Sequence, residues 1–253
     1  MGETTKIPWT DATWSPVTGC IKISPGCLHC CAERMSLRFG HDFSVQLHPE
    51  RLDIPLHWKK PRHIFVCSVS DLFHPRVPVS FVAQVFDIMA ATPRHTYQIL
   101  TKRPGRMAWF AENVCHRLPG WPENVWAGTS VESPKYLPRV DVLMRTPAKV
   151  RFVSCEPLLE PLDLRPWLHL GGNDATQCLS EYDAPAVSPI LSWLIIGGES
   201  GPGHRPMKVE WVADIVSQCK AAGVPCFVKQ ASGPRPGMQG NIPDNLWAVK
   251  EMP

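Results

Sequence analysis

Four cysteines fall within twelve residues in the segment GCIKISPGCLHCCAERM, as Cys20, Cys27, Cys30 and Cys31. Six residues separate the first two, two separate Cys27 from Cys30, and Cys31 follows at once. Three thiolates on one loop can each take one iron of a four-iron cubane and leave the fourth iron open to a small molecule. Purely structural sites more usually spend four protein ligands. Ser24, Pro25 and Gly26 supply the turn that folds such a loop back on itself. Zinc is the competing chemistry, with His29 or His41 as a fourth donor, or Cys31 as a fourth thiolate. Against it, neighbouring residues point in different directions, so Cys30 and Cys31 are poorly placed to share one ion. No second CxxC pair follows either. Reduced structural thiols are the third reading, and the one that fits the scattered Cys67, Cys115, Cys155, Cys178, Cys219 and Cys226, because cysteine is among the most buried residue types.

A second set of reactive side chains follows short apolar runs. Ser70 and Asp71 come after IFVCS, Thr101, Lys102 and Arg103 end YQILTKR, and Ser130 and Glu132 end NVWAGTSVE. Ser154 and Glu156 end VRFVSCE, Gly197, Gly198, Glu199 and Ser200 end WLIIGGES, and Lys229 and Gln230 end VPCFVKQ. Any one of these alone reads as a cap or a turn former. Together they would ring one mouth if the runs were the parallel strands of a barrel, whose working residues sit at the C-terminal strand ends. The glycines at 197 and 198 allow close backbone approach. GESGPG lacks the GK[ST] ending of a nucleotide-triphosphatase loop.

The elements needed to position these residues are legible. Continuous apolar runs without alternation are what strands buried on both faces look like. Between them lie FVAQVFDIMAA, RMAWFAENVCHRL and WVADIVSQCKAAG, apolar at helical spacing, the last closed by Gly223. The reading is an α/β chain: a partial or open TIM-type barrel of six to seven mostly parallel strands, forming a single domain over 1–253. ATWSPVTG (12–19) is the expected first strand, CAERMSLRFG (31–40) a short helix, and FSVQLHPERL (43–52) an excursion before the second strand. The polar stretch 171–189 reads as a surface insertion.

Bulk properties exclude little. The net charge of +3 is too small to imply nucleic-acid binding by itself, although 57–63 and 101–106 are locally basic. No run approaches the length that spans a bilayer, and the N-terminus has no apolar signal core, so a cytoplasmic location without a membrane partner is expected. In that reducing compartment ten cysteines point to metal or cluster ligation rather than disulfides.

The blocks TWSPVTGC, SPGCLHCCAERM, SDLFHP, QILTKRP, RFVSCEPLL, IIGGESGPGHRPM and VPCFVKQ, in that order, resemble a phage-associated, three-cysteine, radical-S-adenosylmethionine-like family. More distantly the pattern is similar to spore photoproduct lyase. The resemblance implies a 4Fe–4S cluster on Cys20, Cys27 and Cys30, with S-adenosylmethionine chelating the open iron. It places Ser70 and Asp71 at the methionine portion and Ser130 and Glu132 at the ribose. Glu156 and the backbone of Gly197, Gly198 and Glu199 fall at the remaining cofactor or substrate contacts. The implied activity is generation of a 5′-deoxyadenosyl radical for hydrogen abstraction, fed by an electron donor, on a nucleic acid or nucleotide. Lys102, Arg103 and Arg106, on the active-site side of the barrel, are then the candidates for phosphate contacts. The chain departs from the superfamily's usual pattern in its six-residue first cysteine gap, in His29 where an aromatic is common, and in SVSDLF where a GGE-like block is expected. A further departure from close relatives is Cys31, at a tyrosine position. The alternative class is a non-enzymatic zinc- or cluster-stabilised module that binds DNA or a partner protein.

Overall fold

The computed structural model describes residues 4–115, 120–168 and 191–253. The expected insertion at 171–189 and Cys178 lie outside these residues. Seven strands form one sheet: β1 (Ala12–Trp14), β4 (His63–Val66), β5 (Thr96–Thr101), β6 (Val125–Ser130), β7 (Arg151–Cys155), β8 (Trp193–Gly197) and β9 (Cys226–Gln230). Every neighbouring pair is parallel, and the order across the sheet is the order along the chain. Because each crossover advances the same way and such crossovers are right-handed, the connecting helices collect on one face. β1 and β9 do not pair with each other, so the barrel stays open as a half-barrel.

The first expected strand stops early. Pro16 has no N–H to give a ladder, and the chain leaves the sheet after Trp14. Val17–Thr18 (β2) pairs instead, antiparallel, with Gln46–Leu47 (β3), inside the stretch read as an excursion. The cysteine loop and helix α1 (Cys31–Arg38) hang between these two short strands. A one-turn helix α2 (Ile54–His57) leads into β4.

On the outer face, α3 (Val79–Ala91), α4 (Pro104–Asn113), α5 (Pro138–Met144) and α6 (Val209–Ala222) cover the sheet, and the one-turn α7 (Asp244–Trp247) follows β9. From α3 alone, Phe81, Val82, Val85, Phe86 and Met89 are buried. Each such side chain contributes about 1.5–3 kcal/mol. Residue 223 closes α6 in the left-handed conformation open to glycine, as its sequence implies. Among the described residues no helix is long and apolar enough to cross a membrane.

The inner face has its own, smaller core. Phe65, Phe152, Trp193, Ile195 and Phe227 pack together with Trp9 from the N-terminal segment. Trp193 is the hub, with ring centroids 5.5 Å from Phe152, 6.0 Å from Trp9 and 6.1 Å from Trp126. This aromatic floor fills the N-terminal half of the inner face. Gly128 makes room for it: a Cβ there would lie 2.4 Å from the Phe152 ring. Gly128→Ala should therefore destabilise the chain by about 1–3 kcal/mol in denaturant titration. Pairing it with Phe152→Leu should recover part of that loss, whereas no recovery would mean the floor is not what Gly128 accommodates.

Candidate functional site

Cys20 enters the loop from Gly19, which bridges to Ser70 beside the end of β4. Gly19 has φ +77°, and a Cβ would fall 1.9 Å from the Ser44 carbonyl oxygen, so only glycine fits this turn. The Ser70 hydroxyl donates to the Val17 carbonyl at 2.6 Å, fixing the strand that feeds the loop. Within the loop Lys22 Nζ donates to the Leu28 carbonyl at 3.3 Å and pairs with Glu33 of α1 at 2.7 Å.

Three strand-end carboxylates hold this loop across the mouth, each with its own arginine. Asp71 is buried and accepts from Thr101 Oγ1 (2.7 Å), the Phe73 N–H (3.0 Å), the Lys102 N–H (3.2 Å) and Arg103 Nη1 (2.8 Å). Arg103 then reaches the loop, donating to the Ile21 carbonyl at 3.0 Å and to Cys20 Sγ at 3.6 Å. Glu132 is wholly buried, pairs with Arg139 at 3.0 Å, and accepts from the Gly26 N–H at 3.4 Å. A Cβ on Gly26 would approach that carboxyl carbon to 3.0 Å. Glu199 accepts from Arg205 through the N–H (2.8 Å), Nε (3.0 Å) and Nη2, and is bonded to His29 Nδ1 at 2.8 Å. Arg205 Nη2 also donates to the Pro25 carbonyl at 2.9 Å. The loop is thus tied at Cys20–Ile21, at Pro25–Gly26 and at His29.

The thiols differ in their surroundings. Burial pushes the Cys20 thiol up, helped by Asp71 and opposed by Arg103, and burial likewise pushes Cys30 up, with Cys27 and Cys31 close enough to add repulsion. Cys31 is exposed and turned elsewhere, its Sγ 3.4 Å from Ser200 Oγ and 3.1 Å from Arg34 Nη2. Cys67 and Cys115 are buried and pushed up to about 12, which makes them inert core residues. Among the described residues no three His, Cys, Asp or Glu side chains are grouped to hold a metal ion. Cys20, Cys27 and Cys30 are neighbours on one seated loop, not a closed ligand cage.

A family model described as protein of unknown function (DUF5131) matches residues 4–240, from before β1 to beyond β9. The chain belongs to that family. No curated protein matches it. Among solved structures it is similar to chains of spore photoproduct lyase. One variant is 13% identical, with a TM-score of 0.45, over 85% of this chain and 62% of that one. The lyase complexed with dinucleoside spore photoproduct is 14% identical, TM-score 0.39, over 72% and 54%. A variant with bound AdoMet and dinucleoside spore photoproduct is 14% identical, TM-score 0.39, over 57% and 45%. The DUF5131 chain spans about half the length of those lyase chains.

The remaining candidate residues divide by place. Glu156 of this DUF5131 protein projects inside the half-barrel above the aromatic floor, bonded by Ser154 Oγ at 3.2 Å and paired with Lys229 Nζ at 2.9 Å. The ladder between β8 and β9 skips Lys229, a bulge that re-aims its side chain. Gly197 leaves the space that the Glu156 carboxylate fills, since a Cβ there would meet it at 2.4 Å. Gly198 lies against Ser232 and exchanges hydrogen bonds with Gln230. Ser130 is buried, with its carbonyl bonded by Arg139. Lys102 Nζ stands 4.0 Å from Glu132. Arg103 is committed to Asp71 and the loop, and Arg106 to the His74 and Val77 carbonyls, so both guanidiniums are engaged by the chain itself.

Sequence reasoning did not single out Arg139, Arg205 or the Lys229–Glu156 pair as a unit. Only the tertiary fold brings Arg205 to Pro25, 180 residues away.

Glu199 gives a test of the seat. Burial alone would raise its pKa, but hydrogen bonds from Arg205 and His29 overcome that and hold it at about 2, from an ordinary 4.5. A carboxylate depressed on folding stabilises the native state above its ordinary value, and that contribution is lost as pH falls through the folded value. Arg205→Ala should therefore cost most stability at neutral pH, and its difference from wild type should narrow as pH falls from about 4.5 towards about 2. Denaturant titration across that range is the check, and a difference independent of pH would dissociate Arg205 from Glu199.

Proposed function

We propose that this protein is a radical S-adenosylmethionine-type iron–sulfur enzyme, with Cys20, Cys27 and Cys30 holding a 4Fe–4S cluster. The observation that carries the reading is the seating of a three-thiol loop over the open mouth of a parallel half-barrel. The donor set fits a cubane: three thiols on one loop, with Cys31 directed to Ser200 rather than to the other three. Cluster and S-adenosylmethionine together would supply a 5′-deoxyadenosyl radical for hydrogen abstraction.

The chain's own residues do the binding, the positioning and the exclusion of water. Asp71, Glu132 and Glu199 act through Arg103, the Gly26 N–H, Arg205 and His29 as positioning residues for the loop. This shifts Asp71, Glu132 and Glu199 from the cofactor contacts expected of them to its support. Inside the mouth, Glu156 and Lys229 remain available to orient the polar groups of a cofactor or substrate. Raised thiol pKa values at Cys20 and Cys30 mean that loading the cluster releases protons, so assembly should be favoured at higher pH. A nucleic acid or nucleotide substrate, an external electron donor, a phage association and a cytoplasmic location belong to the same proposal. Its support for the substrate is the set of exposed cations on loops around the mouth, Arg76, Lys135, Lys208 and Arg235.

Cys20→Ala, Cys27→Ala and Cys30→Ala should each lose the brown colour and the iron and sulfide content of anaerobically reconstituted wild type. Cys31→Ala and Cys115→Ala should keep them. Wild type, once reduced, should slowly convert S-adenosylmethionine to 5′-deoxyadenosine and methionine. Full iron in the three single variants, or failure of loaded wild type to bind S-adenosylmethionine by calorimetry, would overturn the proposal in favour of a non-enzymatic binding module.

A further inference from the structure

The mouth sorts its charges by depth. The acids that end β4, β6, β7 and β8, namely Asp71, Glu132, Glu156 and Glu199, all face inward onto partners of the chain itself. Four cations on loops leaving strand ends of the same mouth are exposed: Arg76 after β4, Lys135 after β6, Lys208 after β8 and Arg235 after β9. None of the four is ion-paired with an acid among the described residues. Two of them stand beside half-exposed rings, Lys135 at 6.0 Å from the Tyr136 centroid and Lys208 at 5.6 Å from that of Trp211. Lys208 and Trp211 line an open cleft of about 610 Å³ at the start of α6.

From this placement we infer that the rim of the mouth is a nucleic-acid docking face. Arg76, Lys135, Lys208 and Arg235 contact backbone phosphates, and Trp211 stacks a base; the Tyr136 ring is already covered by Arg139 at 4.2 Å. The inference rests on the proposed substrate class and replaces Lys102, Arg103 and Arg106 as its phosphate contacts, since Arg103 and Arg106 are spent inside the chain. Cations interleaved with aromatic rings distinguish a single-strand binding groove from a merely basic surface, because phosphates and base faces recur together along a strand. Exposed acids stand here too, Glu160 after β7 and Glu210 beside Lys208 in the cleft, but the four cations outnumber them and leave the rim net positive where an approaching polyanion meets it first.

The test is salt-titrated anisotropy with short fluorescein-labelled single-stranded DNA and RNA of mixed sequence, on the full chain without reductant or S-adenosylmethionine. The combined Arg76→Ala, Lys135→Ala, Lys208→Ala and Arg235→Ala variant should flatten the log–log salt dependence by about 0.7 unit per lost phosphate contact. Trp211→Ala should weaken binding about ten-fold while leaving the slope nearly unchanged. Lys59→Ala with Lys60→Ala, at the opposite end of β4, should change neither. Absence of salt-dependent binding by wild type, an unchanged slope in the four-site variant, or a slope lost instead in the 59–60 variant overturns the inference. None of these readouts needs a cluster, so failure of the iron assays would leave them interpretable, and the reverse holds.

Discussion

The seating of the cysteine loop by buried carboxylates is the interaction on which the arrangement of the site depends. The cysteine loop contributes no residue to the hydrophobic core, and α1 beyond it has no buried residue. What fixes it is a set of charge-assisted hydrogen bonds from groups whose own positions are set by the sheet. Asp71, Glu132 and Glu199 sit at most 5% exposed, where an unpaired carboxylate would be costly. Each is compensated by an arginine, and two of those arginines extend past the carboxylate to loop carbonyls. Removing one partner would leave a buried charge uncompensated, which costs far more than the pair adds when complete.

That support requires the half-barrel to be both filled and open. The aromatic floor around Trp193 fills the N-terminal half of the inner face, and it does so because Gly128 yields its side-chain space to Phe152. At the other end Gly197 yields space to the Glu156 carboxylate, so two glycines on adjoining parts of one face serve opposite ends of the polarity gradient. The result is an apolar base and a polar mouth within the length of a strand. Polar groups in the mouth then act in surroundings where water competes less for their hydrogen bonds.

The fold was largely legible because its signals are local and repeated. Runs such as WLIIGG and RFVSC are buried on both faces, and Gly223 and the periodicity of 211–223 define α6 well. The first strand was misjudged because Pro16 lies within it and its continuation pairs with a segment thirty residues on, which no local pattern reveals. The identity of the strand-end acids was legible too, since polarity following an apolar run marks the mouth. Their task was not. A carboxylate looks the same in sequence whether it faces a ligand or an arginine, and Arg103 is a surface charge by pattern but only 11% exposed at its side chain. Pairings such as Glu199 with His29 and Glu132 with Gly26 join residues more than a hundred positions apart, and only the tertiary fold decides them.

The same support bears on how metal and fold are coupled. In small metal-folded modules the binding free energy of the metal is the folding free energy, because no core exists without it. Here the core lies between the sheet and its outer helices, and contains no residue of the cysteine loop. The loop is instead held by hydrogen bonds to the strand ends. Because the core holds no residue of this loop, altering the thiols should leave the fold standing. A metal held on this loop would thus be dispensable to the architecture and would matter only for what happens at the mouth.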